Sequence, residues 1–210
     1  MIDWLTFLKN QITNELPGER AHVEMMPMRG LSSDALKKAN NAKESAVAIH
    51  LLQKEKGIEI LLTQRNTYEG AHSGQISFPG GKRDASDEDS IHTARRESFE
   101  EIAMPFENGE LIGPMTQIYI PVSNFHVKPY VFFHSELTVE LVPDPREVAS
   151  IFLLPGVELI DKKLRTEVDI PIGNGRILKD VPCFLYENRI IWGATAILLN
   201  ELKEILSRRD

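Results

Sequence analysis

Cysteine is almost absent from this sequence. Cys183 is the only one among 210 residues, so no disulfide can form within the chain, which is usual for proteins of a reducing compartment. Also missing is any apolar run long enough to span a membrane as a helix. At the N-terminus, Asp3, Lys9 and Asn10 interrupt the apolar core that a signal peptide would need. The sequence therefore predicts a soluble, cytoplasmic protein.

Positive charge is in deficit. The chain has 24 Lys and Arg residues against 31 Asp and Glu residues, which gives a formal net charge of -7. Because such a chain repels polyanions, nonspecific binding to nucleic acid or to an anionic membrane surface is disfavoured. A ligand that carries phosphate would need bound metal or a local cluster of basic side chains.

Helices and strands are predicted to alternate irregularly, which indicates a mixed α/β (α+β) fold. Apolar spacing predicts an amphipathic helix over 3–16, and the aperiodic stretch 18–44 indicates a connector. Further helices are predicted at 90–102, 147–153 and 193–208. Strands are predicted at 45–53, 58–64, 111–122 and 127–134, a short apolar segment at 75–78, and a hairpin at 176–192. No repeat or linker divides the sequence, so we expect one domain over 1–210, with the N-terminal helix and connector at 1–44.

Three carboxylates share one face of the helix predicted at 90–102. Glu97, Glu100 and Glu101 stand at positions i, i+3 and i+4, where like charges repel one another. A hard divalent cation such as Mg²⁺ would turn this repulsion into coordination. The alternative is a solvated acidic face, which is common. The apolar opposite face and the preceding Gly80-Gly81 loop, where backbone can approach a ligand closely, favour a metal site.

The stretch from Gly80 to Met104 resembles the Nudix box, in which a glycine-led loop precedes a helix with the run Arg-Glu-apolar-x-Glu-Glu-x-Gly-apolar. In this sequence the run is Arg96-Glu97-Ser98-Phe99-Glu100-Glu101-Ile102-Ala103-Met104. Ala103 replaces the usual glycine, and Ser98 replaces an apolar residue. The gap from Gly81 to Arg96 is one residue longer than in the general box. Glu88 then takes the first acidic position of the box, with Asp87 as its competitor.

The longer gap resembles the coenzyme A subgroup of Nudix hydrolases, and so do segments outside the box. These segments are 61–65, 72–81, 119–123, 128–131 and 191–196. The resemblance spans residues 45–200 and implies a Nudix fold, a mixed β-sheet sandwiched between α-helices. It also implies hydrolysis of the pyrophosphate bond of coenzyme A or an acyl-coenzyme A, giving adenosine 3',5'-bisphosphate and (acyl-)4'-phosphopantetheine.

Two other functions are kept as alternatives. One is the same chemistry on ADP-ribose, NADH or another nucleoside diphosphate derivative, against which the segments upstream of the box argue. The other is a non-catalytic Nudix module that binds a ligand. Such a module would be expected to lose box carboxylates, whereas Glu97, Glu100 and Glu101 are all present.

The resemblance implies that Glu97, Glu100 and Glu101 bind Mg²⁺ or Mn²⁺, with the carbonyl of Gly81 as a further ligand. The metal would neutralise the pyrophosphate and lower the pKa of a water that attacks phosphorus. Arg96 is expected to orient the carboxylates as part of the catalytic set. An ordinary i to i+4 pair with Glu100 is the other role open to Arg96.

The general base is left open between Glu97 and a loop residue such as Glu147. For Glu147, capping a helix that follows Pro145 is the alternative role. Cys183 stands in no motif that marks a nucleophile, so no covalent intermediate is expected.

Substrate contacts are expected from Arg65, Lys82 and Arg83, because an acidic protein needs local cations to hold phosphate. Ordinary surface charge is the alternative for these three residues. A structural hydrogen-bonding role is expected for His72, and positions in the core are expected for Trp4 and Trp192. The expected partner is a small nucleotide resembling coenzyme A. Nucleic acid and membrane are not expected partners, and a homodimer is compatible with the sequence.

Overall fold

The computed structural model describes residues 3–26, 31–67, 73–172 and 175–209. The helices are α1 (Trp4–Thr13), α2 (Glu19–Val23), α3 (Ser32–Lys37), α4 (Ser90–Ile102), α5 (Gly156–Ile160) and α6 (Gly193–Ser207), with a 3-10 turn at Lys162–Leu164. The strands are β1 (Lys43–Lys54), β2 (Gly57–Arg65), β3 (Ile76–Ser77), β4 (Gly80–Lys82), β5 (Glu110–Pro114), β6 (Ile118–Ile120), β7 (Phe125–His134), β8 (Val148–Pro155), β9 (Arg165–Ile172), β10 (Arg176–Tyr186) and β11 (Arg189–Ile191).

Strands β1 to β8 form one mixed sheet, and β9 to β11 form a separate antiparallel sheet. The long strand β1 organises the mixed sheet, since it runs parallel to β7 and antiparallel to β2. The first half of β1 also pairs with the short strand β4, with Ala46 opposite Gly81. This pairing fixes the diglycine segment against the centre of the sheet.

The mixed sheet is sandwiched between helices, as the resemblance implies. Alternate residues of β1 point to opposite faces, as the strand period requires. Ile49 and Leu51 belong to the large apolar cluster that includes residues of α1 and α6. Ala46 and Ala48 belong to a smaller cluster on the other face, which includes Ala94 of α4. The small alanine side chains allow α4 to lie close to the sheet.

Most predicted elements are confirmed. The helix predicted at 90–102 has those bounds, and the closing helix ends at Ser207. Helix α1 ends before the predicted limit, because the backbone of Asn14 is not helical, and the side-chain amide of Asn14 donates to the backbone carbonyl of Asn10. The predicted connector contains the short helices α2 and α3. The predicted hairpin exists as β10 and β11, whose turn residues Glu187 and Asn188 both have positive φ, as in a type I' turn.

Two predicted elements differ from the structure. The helix predicted at 147–153 is wrong, because Val148–Pro155 is strand β8 and pairs antiparallel with β2, with Leu154 opposite Ile60. Pairing with a distant strand overrides the local helical preference. The strand predicted at 111–122 is divided into β5 and β6, with a register shift between Leu111 and Gly113. The sequence patterns also did not predict β9.

In the ranges that the structure describes, no helix combines the length and apolar character needed to cross a membrane. The single domain over 1–210 stays a prediction.

Candidate active site

The helix that carries the three glutamates is defined at both ends. At its start, the Asp89 carboxylate accepts from the backbone N–H of His92 at 2.7 Å, which caps the helix. At its end, Ala103 adopts the left-handed conformation with φ 54°. Glycine adopts this conformation most readily, which explains why the Nudix box, which this segment resembles, has glycine at the position of Ala103. The alanine keeps the backbone geometry at a cost of about 1 kcal/mol relative to glycine.

The two glycines before the helix are needed for different reasons. A Cβ at Gly80 would overlap the carbonyl oxygen of Ala46 on β1, and Gly80 has a φ of 155°. A Cβ at Gly81 would lie 2.5 Å from the carboxyl group of Glu97. Gly80 therefore allows β4 to pack on β1, whereas Gly81 leaves room for a carboxylate directly above the strand.

Arg96 connects the helix to the preceding loop. It donates to both carboxylate oxygens of Asp87, from Nε at 2.9 Å and from a terminal nitrogen at 3.0 Å. Its other terminal nitrogen lies 2.9 Å from Glu97 Oε1 and 2.8 Å from Glu100 Oε2. The backbone carbonyl of Lys82 accepts a further hydrogen bond. Arg96 thus makes the i to i+4 pair with Glu100 and also contacts the carboxylate of Glu97.

Asp87 is the acidic residue of the loop that pairs with Arg96. Its side chain is fully buried, and Thr93 also donates to it at 2.9 Å. The Arg96 guanidinium holds the pKa of this carboxyl well below its usual range, despite the burial. Glu88 is exposed, and its backbone carbonyl accepts from Arg83. The assignment of Glu88 to the first acidic position is therefore replaced by its competitor Asp87, because only Asp87 points inward.

Glu97 and Glu101 are largely buried carboxylates. Their side chains are 14% and 3% exposed, whereas that of Glu100 is 55% exposed. Burial raises the pKa of Glu97 and raises that of Glu101 to about 8. Glu101 Oε1 lies 3.5 Å from Arg65, and the backbone N–H of Gly80 donates to the same carboxyl group. The other oxygen, Oε2, is buried and has no hydrogen-bond partner within the described residues.

The donor chemistry of these residues suits a hard divalent cation. The unpartnered Oε2 of Glu101, and the room that Gly81 leaves beside Glu97, are the two features that fit a metal ligand set. Among the described residues, however, no three His, Cys, Asp or Glu side chains are grouped closely enough to hold an ion by themselves. Glu97 and Glu100 both contact one terminal nitrogen of Arg96, whereas Glu101 faces Arg65, so the three predicted ligands share a helix face without converging on one point.

A cleft of about 1180 Å³ opens beside this acidic group. All three glutamates line it, together with Gly81, Lys82 and Arg65. Arg83 is not among the lining residues, because its guanidinium pairs with Glu44 at 2.9 Å and binds the loop carbonyls of Asp87 and Glu88. Arg83 is therefore structural, and Arg65 and Lys82 remain as the predicted cations that reach the cleft.

Glu147 also lines the cleft, where its carboxylate lies 3.8 Å from Arg65. The residue directly precedes strand β8, so the alternative role of capping a helix is wrong. Trp192 lines the cleft as well and is only half-buried, which corrects the expectation that it belongs to the core. Trp4 is 8% exposed and packs edge-on against Phe7, as expected of a core residue.

His72 lies outside the described residues. Cys183 is buried, and burial raises the pKa of its thiol, as expected for a residue without nucleophilic function. Arg176 lines the cleft from β10, although no local motif marks it in the sequence. The only sequence feature that includes Arg176 is the hairpin predicted at 176–192.

Comparison with known proteins gives one family and a consistent fold. The family described as NUDIX domain matches residues 42–173. An uncharacterized Nudix hydrolase, NudL, from Yersinia enterocolitica is 32% identical over 171 residues, which is 78% of this chain and 82% of that protein. Its counterpart from Pectobacterium atrosepticum is 33% identical over 152 residues, which is 71% of this chain and 76% of that protein.

Solved structures agree on the architecture. The crystal structure of RenU, a Nudix hydrolase from M. smegmatis, has a TM-score of 0.54 at 16% identity and covers 80% of this chain and 88% of its own. The MutT protein from Methanosarcina mazei Go1 has a TM-score of 0.50 at 16% identity and covers 82% of this chain and 100% of its own. At such low identity these two structures show a shared fold and nothing more.

Proposed function

Because the chain belongs to the NUDIX domain family, we propose that it hydrolyses the pyrophosphate bond of coenzyme A or an acyl-coenzyme A. The products would be adenosine 3',5'-bisphosphate and (acyl-)4'-phosphopantetheine. The chain is a Nudix hydrolase that acts on a nucleoside diphosphate derivative. Enzymes of this family generally use divalent metal ions.

The cleft lining is the observation that carries the coenzyme A assignment. The segments that resemble the coenzyme A subgroup lie far apart in sequence, yet most of them contribute to this one cleft. They supply, among others, Arg65, Gln75–Phe78, Gly80, Gly81, Ile120, Val122, Ser123 and Trp192–Thr195. This shared position around the candidate site supports a role of these segments in substrate selection.

The proposed metal ligands are Glu97, Glu100, Glu101 and the carbonyl of Gly81, and Mg²⁺ or Mn²⁺ is the expected ion. The ion would supply charge neutralisation at the pyrophosphate and acidification of the attacking water. Arg96 fixes the carboxylate of Glu97 on one side while its own guanidinium is held by Asp87. The chain therefore positions Glu97 before any ligand binds, which lowers the entropic cost of assembling the site.

For the general base we favour Glu147 over Glu97. Glu97 is paired with Arg96 and confined beside Gly81, whereas the Glu147 side chain is 54% exposed and reaches the same cleft. An exposed carboxylate at the cleft can accept a proton from water and return it to solvent. Replacing Glu147 by Gln should lower kcat by about 10²-fold or more, within the range of general-base effects, with little change in metal affinity. An unchanged kcat would return the assignment to Glu97.

A substrate panel with product identification tests the proposed function. Coenzyme A, acetyl-coenzyme A, ADP-ribose and NADH are each incubated with Mg²⁺ or Mn²⁺, and the products are identified by mass spectrometry. We expect the highest kcat/KM for coenzyme A or its acyl form, and loss of turnover in the Glu101→Gln variant. A higher kcat/KM for ADP-ribose or NADH would overturn the substrate assignment. Binding of coenzyme A without turnover of any substrate would identify a ligand-binding module.

The cytoplasmic location and a homodimer are part of the same proposal. Cell fractionation and size-exclusion chromatography with light scattering test them separately.

A further inference from the structure

Three cationic side chains line the cleft in the part of the chain that the structure describes, namely Arg65, Lys82 and Arg176. Arg65 already lies next to two carboxylates, Glu101 and Glu147. Lys82 follows Gly81 directly on β4 and therefore belongs to the acidic end of the cleft. Arg176 differs from both, because it lies on β10, in the sheet that does not pair with the strands around the acidic group.

Strand register directs Arg176 toward the cleft. Arg176 is paired with Ile172, and Leu178 is paired with Ile170. Directly opposed residues share a face of an antiparallel pair, and so do residues two apart on one strand. Ile172, Arg176 and Leu178 all line the cleft, and Ile170 is buried on the same face. Ile177 points the other way and is 52% exposed.

The surroundings of Arg176 leave its charge available. Its neighbours on this face are apolar, and within 3–26, 31–67, 73–172 and 175–209 no carboxylate forms an ion pair with it. In a chain with a net charge of -7, such a guanidinium at the wall of a large cleft is a strong local attractor for an anion. The planar guanidinium matches a phosphate group in bidentate geometry.

We propose that Arg176 binds a phosphate monoester of the substrate that is separate from the pyrophosphate. This inference rests on the proposed function, in which that group is the 3'-phosphate of coenzyme A. It replaces the expectation that Arg83 supplies such a contact, since Arg83 is paired with Glu44 outside the cleft. Strand β10 then selects substrates that carry a 3'-phosphate.

The test compares coenzyme A with dephospho-coenzyme A in wild type and in Arg176→Gln. Because Arg176 is exposed, the contact should contribute at the low end of the range for charge-assisted hydrogen bonds. We therefore expect kcat/KM for coenzyme A to fall by about tenfold, while kcat/KM for dephospho-coenzyme A stays unchanged. Lys179→Gln is the matched control. Lys179 lies on the same strand and carries the same charge, but it pairs with Asp169 and does not line the cleft.

A merely structural role of Arg176 would lower kcat/KM for both substrates by the same factor, and that result would overturn the inference. So would a wild-type enzyme that shows no preference for coenzyme A over its dephospho form. Arg176→Lys should retain part of the preference, since the charge is kept while the bidentate geometry is lost.

Calorimetric binding of adenosine 3',5'-bisphosphate and of adenosine 5'-monophosphate separates this inference from the proposed function. Arg176→Gln should weaken binding of the bisphosphate alone, and equal weakening of both ligands, or of neither, would refute the role of Arg176. If wild type hydrolyses neither coenzyme A nor dephospho-coenzyme A, the proposed function fails, and the two binding constants still decide whether Arg176 recognises the 3'-phosphate.

Discussion

Replacing Gly81 by Ala tests whether the position of the Glu97 carboxylate controls the reaction. The backbone at Gly81 does not have a positive φ, so alanine is compatible with its conformation. The added Cβ, however, would lie 2.5 Å from the carboxyl carbon of Glu97 and equally close to Oε2. Because β4 is fixed by its pairing with β1, the carboxylate of Glu97 has to move away from β4 and out of the position in which Arg96 contacts it.

The size of the effect follows from that distance. Ordinary van der Waals contact requires a separation of about 3.5 Å between such atoms, so the carboxylate must shift by about 1 Å. A displacement of about 1 Å in an active site can cost 10²-fold in rate, which corresponds to about 2.7 kcal/mol in the barrier. The free energy of unfolding should change little. Alanine at a compatible position restricts the unfolded chain and stabilises the folded protein by about 0.4–1 kcal/mol, which offsets the steric cost of the added Cβ.

The assay measures kcat/KM for coenzyme A with saturating Mg²⁺, together with the melting temperature of each protein. Gly80→Ala is the matched control at the neighbouring position. Its Cβ would overlap the backbone carbonyl of Ala46 and requires a φ that alanine rarely adopts, so this variant should lose thermal stability. Gly81→Ala should instead keep its melting temperature and lose activity.

Wild-type kcat/KM in a folded Gly81→Ala protein would refute the reasoning, because the reaction would then not depend on where Glu97 is held. A large loss of melting temperature in Gly81→Ala would also refute it, since the steric conflict would have spread to the backbone.

Four further perturbations have distinct outcomes. Chelation by EDTA should abolish hydrolysis, and added Mg²⁺ should restore it. The Glu101→Gln variant should lose most activity, which added Mg²⁺ should not restore, while its circular dichroism stays unchanged. Retained activity in Glu101→Gln would contradict the proposed site. Arg96→Lys should lower kcat by about tenfold, because lysine cannot bind Asp87 in bidentate fashion, and wild-type turnover would show that Glu97 needs no such support. Burial lowers the pKa of His134 to about 4, below its ordinary 6.5, so His134 stays neutral in the folded chain while the unfolded chain takes up a proton. Stability should therefore fall as the pH drops from about 6.5 to about 4, by up to about 3 kcal/mol, and urea unfolding of His134→Gln should show a weaker dependence on pH over this range.

Local spacing was sufficient for the helix of the candidate site. The apolar period, the Asp89 cap and the glutamates at i, i+3 and i+4 are all properties of one short segment, and α4 has the predicted bounds. The Arg96–Glu100 pair follows from the same spacing. Helices and hairpins depend mainly on neighbours a few residues apart, which is why their existence was predictable. The resemblance of scattered segments added the family, because it relates residues that local patterns cannot connect.

Tertiary structure alone decided which of these side chains are buried and which cations are free. Glu100 and Glu101 are adjacent in sequence, yet Glu100 is exposed and Glu101 is enclosed by β2 and β4, where burial raises the pKa of Glu101 to about 8. Strand β8 exists because β2 offers it a partner. Arg83 is neutralised by Glu44, a residue on β1, whereas Arg176 reaches the cleft through its register with β9. Burial, pairing and charge compensation arise from contacts between residues far apart in the chain, and a sequence pattern read locally contains no information about those contacts.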